Sequence, residues 1–480
     1  MAGLRPAIVL LFIVTFGFAA RAATLRTPIF DHHSWRQADT AAIARSFVRE
    51  RFNPLYPQVD WRGSRAVGYV ETGLELQALV VAGVWRAGGI RVESGRAVAA
   101  AMYVVTALLL YRFVRHRYDE LTALAAVYAH AFAFPLGLFA DRAYLNEPLL
   151  ILLCAVALVA AQAWLDRPRV AWLAILAGAT AVIGMVKLPY LVVYAPIGAL
   201  FVERSGWRGL LKPALMFALA ASVACAALWY AHAHTLYSAT GLSFGLSDKT
   251  FDPSLVFSTR FPLRIARRLL RDVIGPVGLV LLVWGAVAAV RRRRWAEPAG
   301  LLAFAVYLVA VARGNYHHDY YQLAILPIGA VLVALGVIAA VEEASRRGWR
   351  VARRQSLAAA LLWLLAITTA VRSLSAHSWY EVEAGRLALC QAIAPQIEPR
   401  DRLLFVNYPS PDVMFCVDRP GWILDWPARA PEVQQAARDG ASIVLLPPSD
   451  AAQLGRLLDG ARLLATSSEL SAYRLNHPAP

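Results

Sequence analysis

Charge is scarce in this 480-residue chain, and acid is scarcer than base. Only 17% of its residues are charged, with 32 acids against 48 lysines and arginines. An ordinary globular domain carries about 25% charged residues. An ordinary soluble domain is excluded, because 59% of the residues are hydrophobic and the mean hydropathy is +0.50. Successive apolar runs of roughly 17–20 residues are each long enough to cross ~30 Å of hydrocarbon. The runs lack the two-residue alternation of membrane barrels, and backbone in lipid must bond to itself, so they read as helices. No internal repeat and no low-complexity stretch stands out, and the runs hold few ionisable residues. Both absences speak against a secondary transporter, which places charges mid-membrane on broken, often duplicated helices. Cysteine is limited to four residues. Cys154 and Cys225 lie in apolar runs, whereas Cys390 and Cys416 lie in the tail and could pair if the tail faces an oxidising compartment.

Eleven spans are expected, at about 6–23, 96–114, 121–138, 148–165, 170–186, 190–203, 213–232, 273–290, 298–312, 322–341 and 356–373. The segment 72–90 reads instead as an interfacial helix, because Glu75, Gln77 and Arg86 interrupt it. Alternate loops then collect Arg112, Arg115 and Arg117; Arg167 and Arg169; Arg204, Arg208 and Lys212; Arg291 to Arg294; and Arg346, Arg347, Arg350, Arg353 and Arg354. All fall on the side of Arg5, which the positive-inside rule makes the cytoplasm. The net charge of +16 therefore reads as topology rather than as nucleic-acid binding. The expectation is a multi-pass protein of the cytoplasmic (inner) membrane, N-terminus inside and C-terminus outside. The first run could be a signal peptide cleaved near Ala19-Ala20-Arg21-Ala22-Ala23; a retained helix fits better, because more spans follow.

Two domains are expected: a membrane domain over 1–373, with a long first outer loop at 24–95, and a small extracytoplasmic α/β domain over 374–480. In the tail, 401–408 and 441–448 read as buried strands, and 431–440 and 450–461 as helices. The outer loop 233–272 contains FSTRFPLRIARRLLRDVIG, whose basic residues at helical spacing beside Leu and Ile suit an anionic membrane surface.

Four polar motifs fall on the outer face. The first is Asp31-His32-His33-Ser34-Trp35-Arg36-Gln37-Ala38-Asp39-Thr40, running into a stretch that suits an amphipathic helix beginning near Asp39. Asp39 could serve there simply as a helix N-cap. The second is Asp141-Arg142-Ala143-Tyr144-Leu145-Asn146-Glu147-Pro148, which puts an acid at a span start, where the helix dipole favours it. The third is Lys187 at a span end, where a lone lysine ordinarily snorkels to the interface. The fourth is Arg313-Gly314-Asn315-Tyr316-His317-His318-Asp319-Tyr320-Tyr321-Gln322, a loop dense in imidazole and phenol. Each motif alone has an ordinary structural explanation. Their convergence on one face is what points to chemistry.

Together these motifs resemble the GT-C membrane glycosyltransferases, in the group of the protein O-mannosyltransferases and the aminoarabinose transferases of lipid A. Ile43-Ala44-Arg45-Ser46-Phe47 looks like the helix that follows that group's first-loop acid. Glu147-Pro148 looks like its second acid, Gly184 to Lys187 like its span-ending lysine, and Asp319-Tyr320-Tyr321-Gln322-Leu323 with Pro327 like its late loop. The resemblance covers about residues 1–370. There are departures. Thr40 follows Asp39 where the group often has a second acid, Tyr69-Val70-Glu71-Thr72 stands where it often has a lysine, and the short spacing to Arg45 leaves Asp31 as a rival first acid.

The resemblance implies transfer of a sugar, hexose or pentose, from a polyprenyl-phosphate donor to an envelope acceptor (lipid, glycan or protein) on the extracytoplasmic face, with inversion. Such a reaction needs a carboxylate base at the acceptor and fixed cations at the leaving phosphate. Asp39 is the candidate base, and Glu147 the second acid. Lys187 with Arg36 or Arg142 would hold phosphate. His317, His318, Asp319 and Tyr320 would contact phosphate or sugar, and Trp35, with Gln37 beside it, would face the sugar. At the membrane boundary Asp39 is expected to keep enough water to stay ionised. No cofactor is implied. A divalent metal on His32, His33, His317, His318 and Asp319 is not favoured, because their spacings match no strong ligand pattern. The alternatives are a secondary transporter and a non-catalytic polysaccharide-assembly protein.

Overall fold

The computed structural model describes residues 6–245, 247–375, 377–424, 427–451 and 458–476. The chain is mostly helical and divides into two compact units. The first comprises 1–25, 96–231 and 245–377; the second comprises 26–95, 232–244 and 378–480. The break expected at 373 falls near the boundary at 377, but the first loop joins the tail in one unit rather than the apolar helices.

Every apolar run expected to span is helical. Among the described residues, five helices are both long and apolar enough to cross a membrane: Val92–Arg117, Glu147–Asp166, Pro213–Thr240, Asp319–Arg346 and Val351–Ser375. The pair Arg260–Val273 and Pro276–Arg291, bent by 102°, adds a sixth if counted as one span. Pro6–Ala22, Val170–Val186 and Ala296–Ala310 are apolar but shorter. Helix Leu326–Arg346 is buried along nearly its whole length. Its Gly336 and the facing Gly285 let two helix backbones touch: a Cβ on Gly285 would stand 1.8 Å from the Leu332 carbonyl oxygen, and one on Gly336 2.1 Å from that of Leu281.

Buried arginines tie helix ends within this unit. Arg117 reaches Glu203 at 2.7 Å and Glu297 at 2.6 Å, joining three helices. Arg21 gives two hydrogen bonds to Asp141 Oδ2, at 2.9 and 2.6 Å, with both side chains almost wholly buried. Truncating either partner of such a pair strands the other charge. Through Arg21 the first helix is an integral part of the unit.

The second unit is built on a five-stranded sheet: β1 Leu403–Val406, β2 Gly421–Leu424, β3 Ile443–Leu446, β4 Arg462–Thr466 and β5 Ser471–Arg474, in the order β2-β1-β3-β5-β4. The first three are parallel, and β5 and β4 add an antiparallel hairpin. β1 and β3 read as continuous apolar runs because both faces are covered. Leu403 and Phe405 pack with Leu389, Ile393, Val413 and Met414 on one face; Leu404 and Val406 pack with Val433 and Ala436 on the other. Phe30, from the first loop, is buried in the first of these cores. Cys390 and Cys416 form a disulfide. The helix expected over 431–440 is Ala430–Arg438, while 452–457 of the one expected over 450–461 lie outside the described residues.

Candidate active site

The polar motifs form two centres, one in each unit. The first is built on helix Ser34–Arg49. This helix begins five residues before Asp39, with His33 as N-cap in the left-handed region at φ 57°, so Asp39 lies inside the helix and is no N-cap. Nor is the helix amphipathic, since every residue from Gln37 to Phe47 is buried. Left-handed backbone at a non-glycine residue is uncommon and costs of order 1–3 kcal/mol, which the surrounding structure must offset.

Asp39 is 3% exposed, and its Oδ1 accepts a hydrogen bond from Trp61 Nε1 at 2.9 Å. The expectation that boundary water keeps it ionised is therefore overturned. Burial pushes its carboxyl up to about 7, against the opposing pull of Arg36 and the Trp61 N–H and with the help of Asp60 and Glu75. Arg36 lies three residues away on the same helix face. Its guanidinium is already paired with fully buried Glu75 at 2.7 Å, and Thr72 Oγ1 donates to the same Glu75 oxygen at 2.9 Å. Arg36 also lies over the Phe244 ring at 4.7 Å. Gln37 donates to Asp31 Oδ1 at 2.6 Å and to the His32 carbonyl oxygen at 2.8 Å. Asp31, the rival acid, thus holds Gln37. Trp35 is half-buried. Arg45, from the quoted helix motif, binds both Asp60 oxygens at 2.6 and 2.5 Å and the Phe415 carbonyl oxygen at 3.0 Å, so it fastens the loop.

The second centre, in the helical unit, surrounds Lys187. Lys187 ends helix Val170–Val186 in extended backbone, and Pro189 follows in a short 3₁₀ turn. That break aims the side chain inward rather than letting it snorkel. Its Nζ stands 2.8 Å from Glu147 Oε1 and 3.3 Å from the Tyr321 ring centre, with the Tyr320 and Tyr190 rings at 5.2 and 5.5 Å. Glu147, 2% exposed, is the first residue of helix Glu147–Asp166. His318 stacks on Tyr320 and Tyr321 at 5.4 and 5.6 Å. Arg268 donates to the carbonyl oxygens of Asn315 and Tyr316 at 2.7 and 3.1 Å, and Asp319 is the charge that most favours its cationic form. His317 is exposed, and its pKa is lowered by desolvation and by Arg264, Lys249, Arg268 and Arg313. Arg142 is wholly buried with its guanidinium over Phe139 at 4.5 Å, and the neighbouring Asp141 serves Arg21.

Of the residues singled out in the sequence, Asp39, Arg36, Gln37 and Trp35 share the helix of the first centre, and Glu147, Lys187, His318 and Tyr320 gather in the second. Trp61, Glu75 and Tyr321 were missed as site residues. Tyr321 lies in the 313–322 motif, and Glu75 is a polar interruption of segment 72–90.

No family model and no curated protein sequence matches the chain. Solved structures do. ArnT from Cupriavidus metallidurans bound to undecaprenyl phosphate superposes with a TM-score of 0.69 at 13% identity, covering 96% of this chain and 97% of that one. The archaeal oligosaccharyltransferase AglB from Archaeoglobus fulgidus, in complex with an inhibitory peptide and a dolichol-phosphate, gives a TM-score of 0.58 at 14% identity over 92% of this chain and 69% of that one. The chain has the fold of the GT-C membrane glycosyltransferases.

Proposed function

We propose that the chain is an inverting glycosyltransferase that moves a sugar from a polyprenyl-phosphate donor to an envelope acceptor on the extracytoplasmic face of the inner membrane. The observation that carries this reading is Asp39: a buried carboxyl group, held by Trp61, whose pKa lies at about 7. A general base is most effective when its pKa is near the working pH. In the reaction, Asp39 takes the proton of the acceptor hydroxyl or amine as the acceptor atom bonds to the anomeric carbon. The bond from that carbon to the phosphate oxygen breaks, and its electron pair leaves with the lipid phosphate. Charge growing on that phosphate needs a fixed cation, and Lys187 is the candidate, oriented by Glu147 and Tyr321.

The similar structures hold undecaprenyl phosphate and dolichol-phosphate, which supports a donor of that class. The Cys390–Cys416 disulfide supports an oxidising location for the tail, and the arginine-rich loops support eleven spans with the N-terminus inside. The test is mass spectrometry of lipid-linked sugars after gene deletion, with complementation by wild type, Asp39→Asn and Glu147→Gln. Accumulation of a prenyl-phosphate sugar, relieved by wild type but by neither variant at equal membrane expression, is expected. Absence of any such lipid, with unchanged envelope glycans, would refute the proposal.

A further inference from the structure

A base embedded in a helix acts only where that helix is held, and helix Ser34–Arg49 is held by residues from the far end of the chain. At its entry, the His32 N–H donates to the Trp379 carbonyl oxygen at 3.3 Å, and the Glu383 N–H to that of Phe30 at 3.0 Å. At its first residue, Arg386 Nη1 donates to Ser34 Oγ at 3.1 Å. Further along, Arg45 meets Asp418 at 2.9 Å.

Arg386 is the hub of this grip. It is 7% exposed, ion-paired with fully buried Asp412, and met by Glu469 at 3.2 Å and Glu383 at 3.3 Å. Asp412 also accepts from the Val413 N–H at 2.8 Å. The Cys390–Cys416 disulfide joins the same two helices, Ala384–Ile393 and Asp412–Val417. Cys390 comes four residues after Arg386 and Cys416 four after Asp412, one turn in each helix. The ion pair and the disulfide are thus neighbouring rivets across one helix pair.

We infer that Arg386 is a positioning residue for transfer: braced by Asp412 and the disulfide, it fixes Ser34 and thereby the place and direction of the Asp39 carboxyl group. The inference rests on reading Asp39 as the base. The largest charges acting on Asp39 are Arg36 on its own helix, Asp60 in the first loop and Glu75 before the next helix. Arg386 is not among them, so its effect on Asp39 is assigned to geometry.

The test uses the purified full chain with three variants: Ser34→Ala, Arg386→Met, and Cys390→Ser combined with Cys416→Ser. Each is assayed for amide hydrogen exchange over 34–49 and for transfer from the lipid-linked sugar fraction of the deletion strain. Arg386→Met should lower kcat roughly a hundredfold with little change in KM, the scale that a misplacement of about 1 Å costs. Its pH–rate midpoint should fall as water reaches Asp39. Exchange over 34–49 should quicken while β1 and β3 stay protected. Ser34→Ala, which leaves the Asp412 pair intact, should show the same pattern at about three- to tenfold, the scale of one hydrogen bond. It decides the matter if Arg386→Met does not fold. Unchanged exchange over 34–49 would overturn the inference. Quickened exchange with unchanged kcat and midpoint would overturn it too, whereas the reading of Asp39 as base falls only if Asp39→Asn, assayed alongside, keeps near-normal transfer.

Discussion

Asp39 and Glu147 are equally buried, at 3% and 2% exposure, but their partners differ in kind. Glu147 has a lysine ammonium at 2.8 Å. Asp39 accepts from a neutral indole N–H, and Arg36, the cation that acts on it most, is ion-paired with Glu75. A carboxylate beside a fixed cation is built to orient charge. One that is desolvated and lacks a cation of its own is built to exchange a proton. Substitutions at the two sites should therefore part in sign as well as size.

The largest expected effect is on activity. Asp39→Asn keeps the shape but removes the proposed base, so transfer should fall about 10²–10⁴-fold at unchanged membrane expression. Near-normal turnover would break the comparison at once. The next is a pair of opposed stability changes. Glu147→Gln leaves the Lys187 charge without its carboxylate and should destabilise the protein by about 3–5 kcal/mol. Asp39→Asn should stabilise it at alkaline pH. The Asp39 carboxyl lies at about 7 against an ordinary 3.8, so between these values the folded state keeps a proton that the unfolded state has lost. The favourable contribution is full below about pH 4 and is lost as pH rises through 7. Above that, ionised Asp39 costs about 4 kcal/mol at 1.36 kcal/mol per pH unit. Thermal melts of both variants at pH 5 and pH 8 check the signs.

Smaller effects sharpen the contrast. Trp61→Phe removes the one hydrogen bond that favours ionised Asp39, so the pH–rate midpoint should rise by about half a unit to one unit. Turnover at pH 7 should drop severalfold. Tyr321→Leu removes the ring 3.3 Å from Lys187 and should weaken donor binding by about 1–2 kcal/mol, seen in KM with little change in the pH profile.

Which features were legible in the sequence follows the range of the interactions. The apolar runs declare themselves by local composition, and β1 and β3 by unbroken apolar stretches covered on both faces. β2, β4 and β5, partly exposed and without such a run, lie outside the strands expected from the sequence. The sharing of one unit by the first loop and the tail was not legible either, since Phe30 gives no local sign that it enters a core made of residues after 380. At the two centres, Asp39, Glu147 and Lys187 could be chosen as polar groups beside apolar runs. Their partners could not: Trp61 lies 22 residues from Asp39, Glu75 39 from Arg36, and Lys187 40 from Glu147. Spacing of that length has no period to read. The ionisation of Asp39 was misjudged for the same reason, because its burial is created by helix packing that single-residue position does not reveal.

The central claim, that Asp39 is a carboxyl group poised to take up a proton near neutral pH, is tested most directly by titrating that group itself. Difference infrared spectra of the purified protein between about pH 5 and 9, compared with Asp39→Asn, isolate the C=O stretch of its protonated form. The account predicts a band present at pH 5, half lost near pH 7, and missing from the variant at every pH. No such difference, with Asp39 already ionised at pH 5, would contradict it.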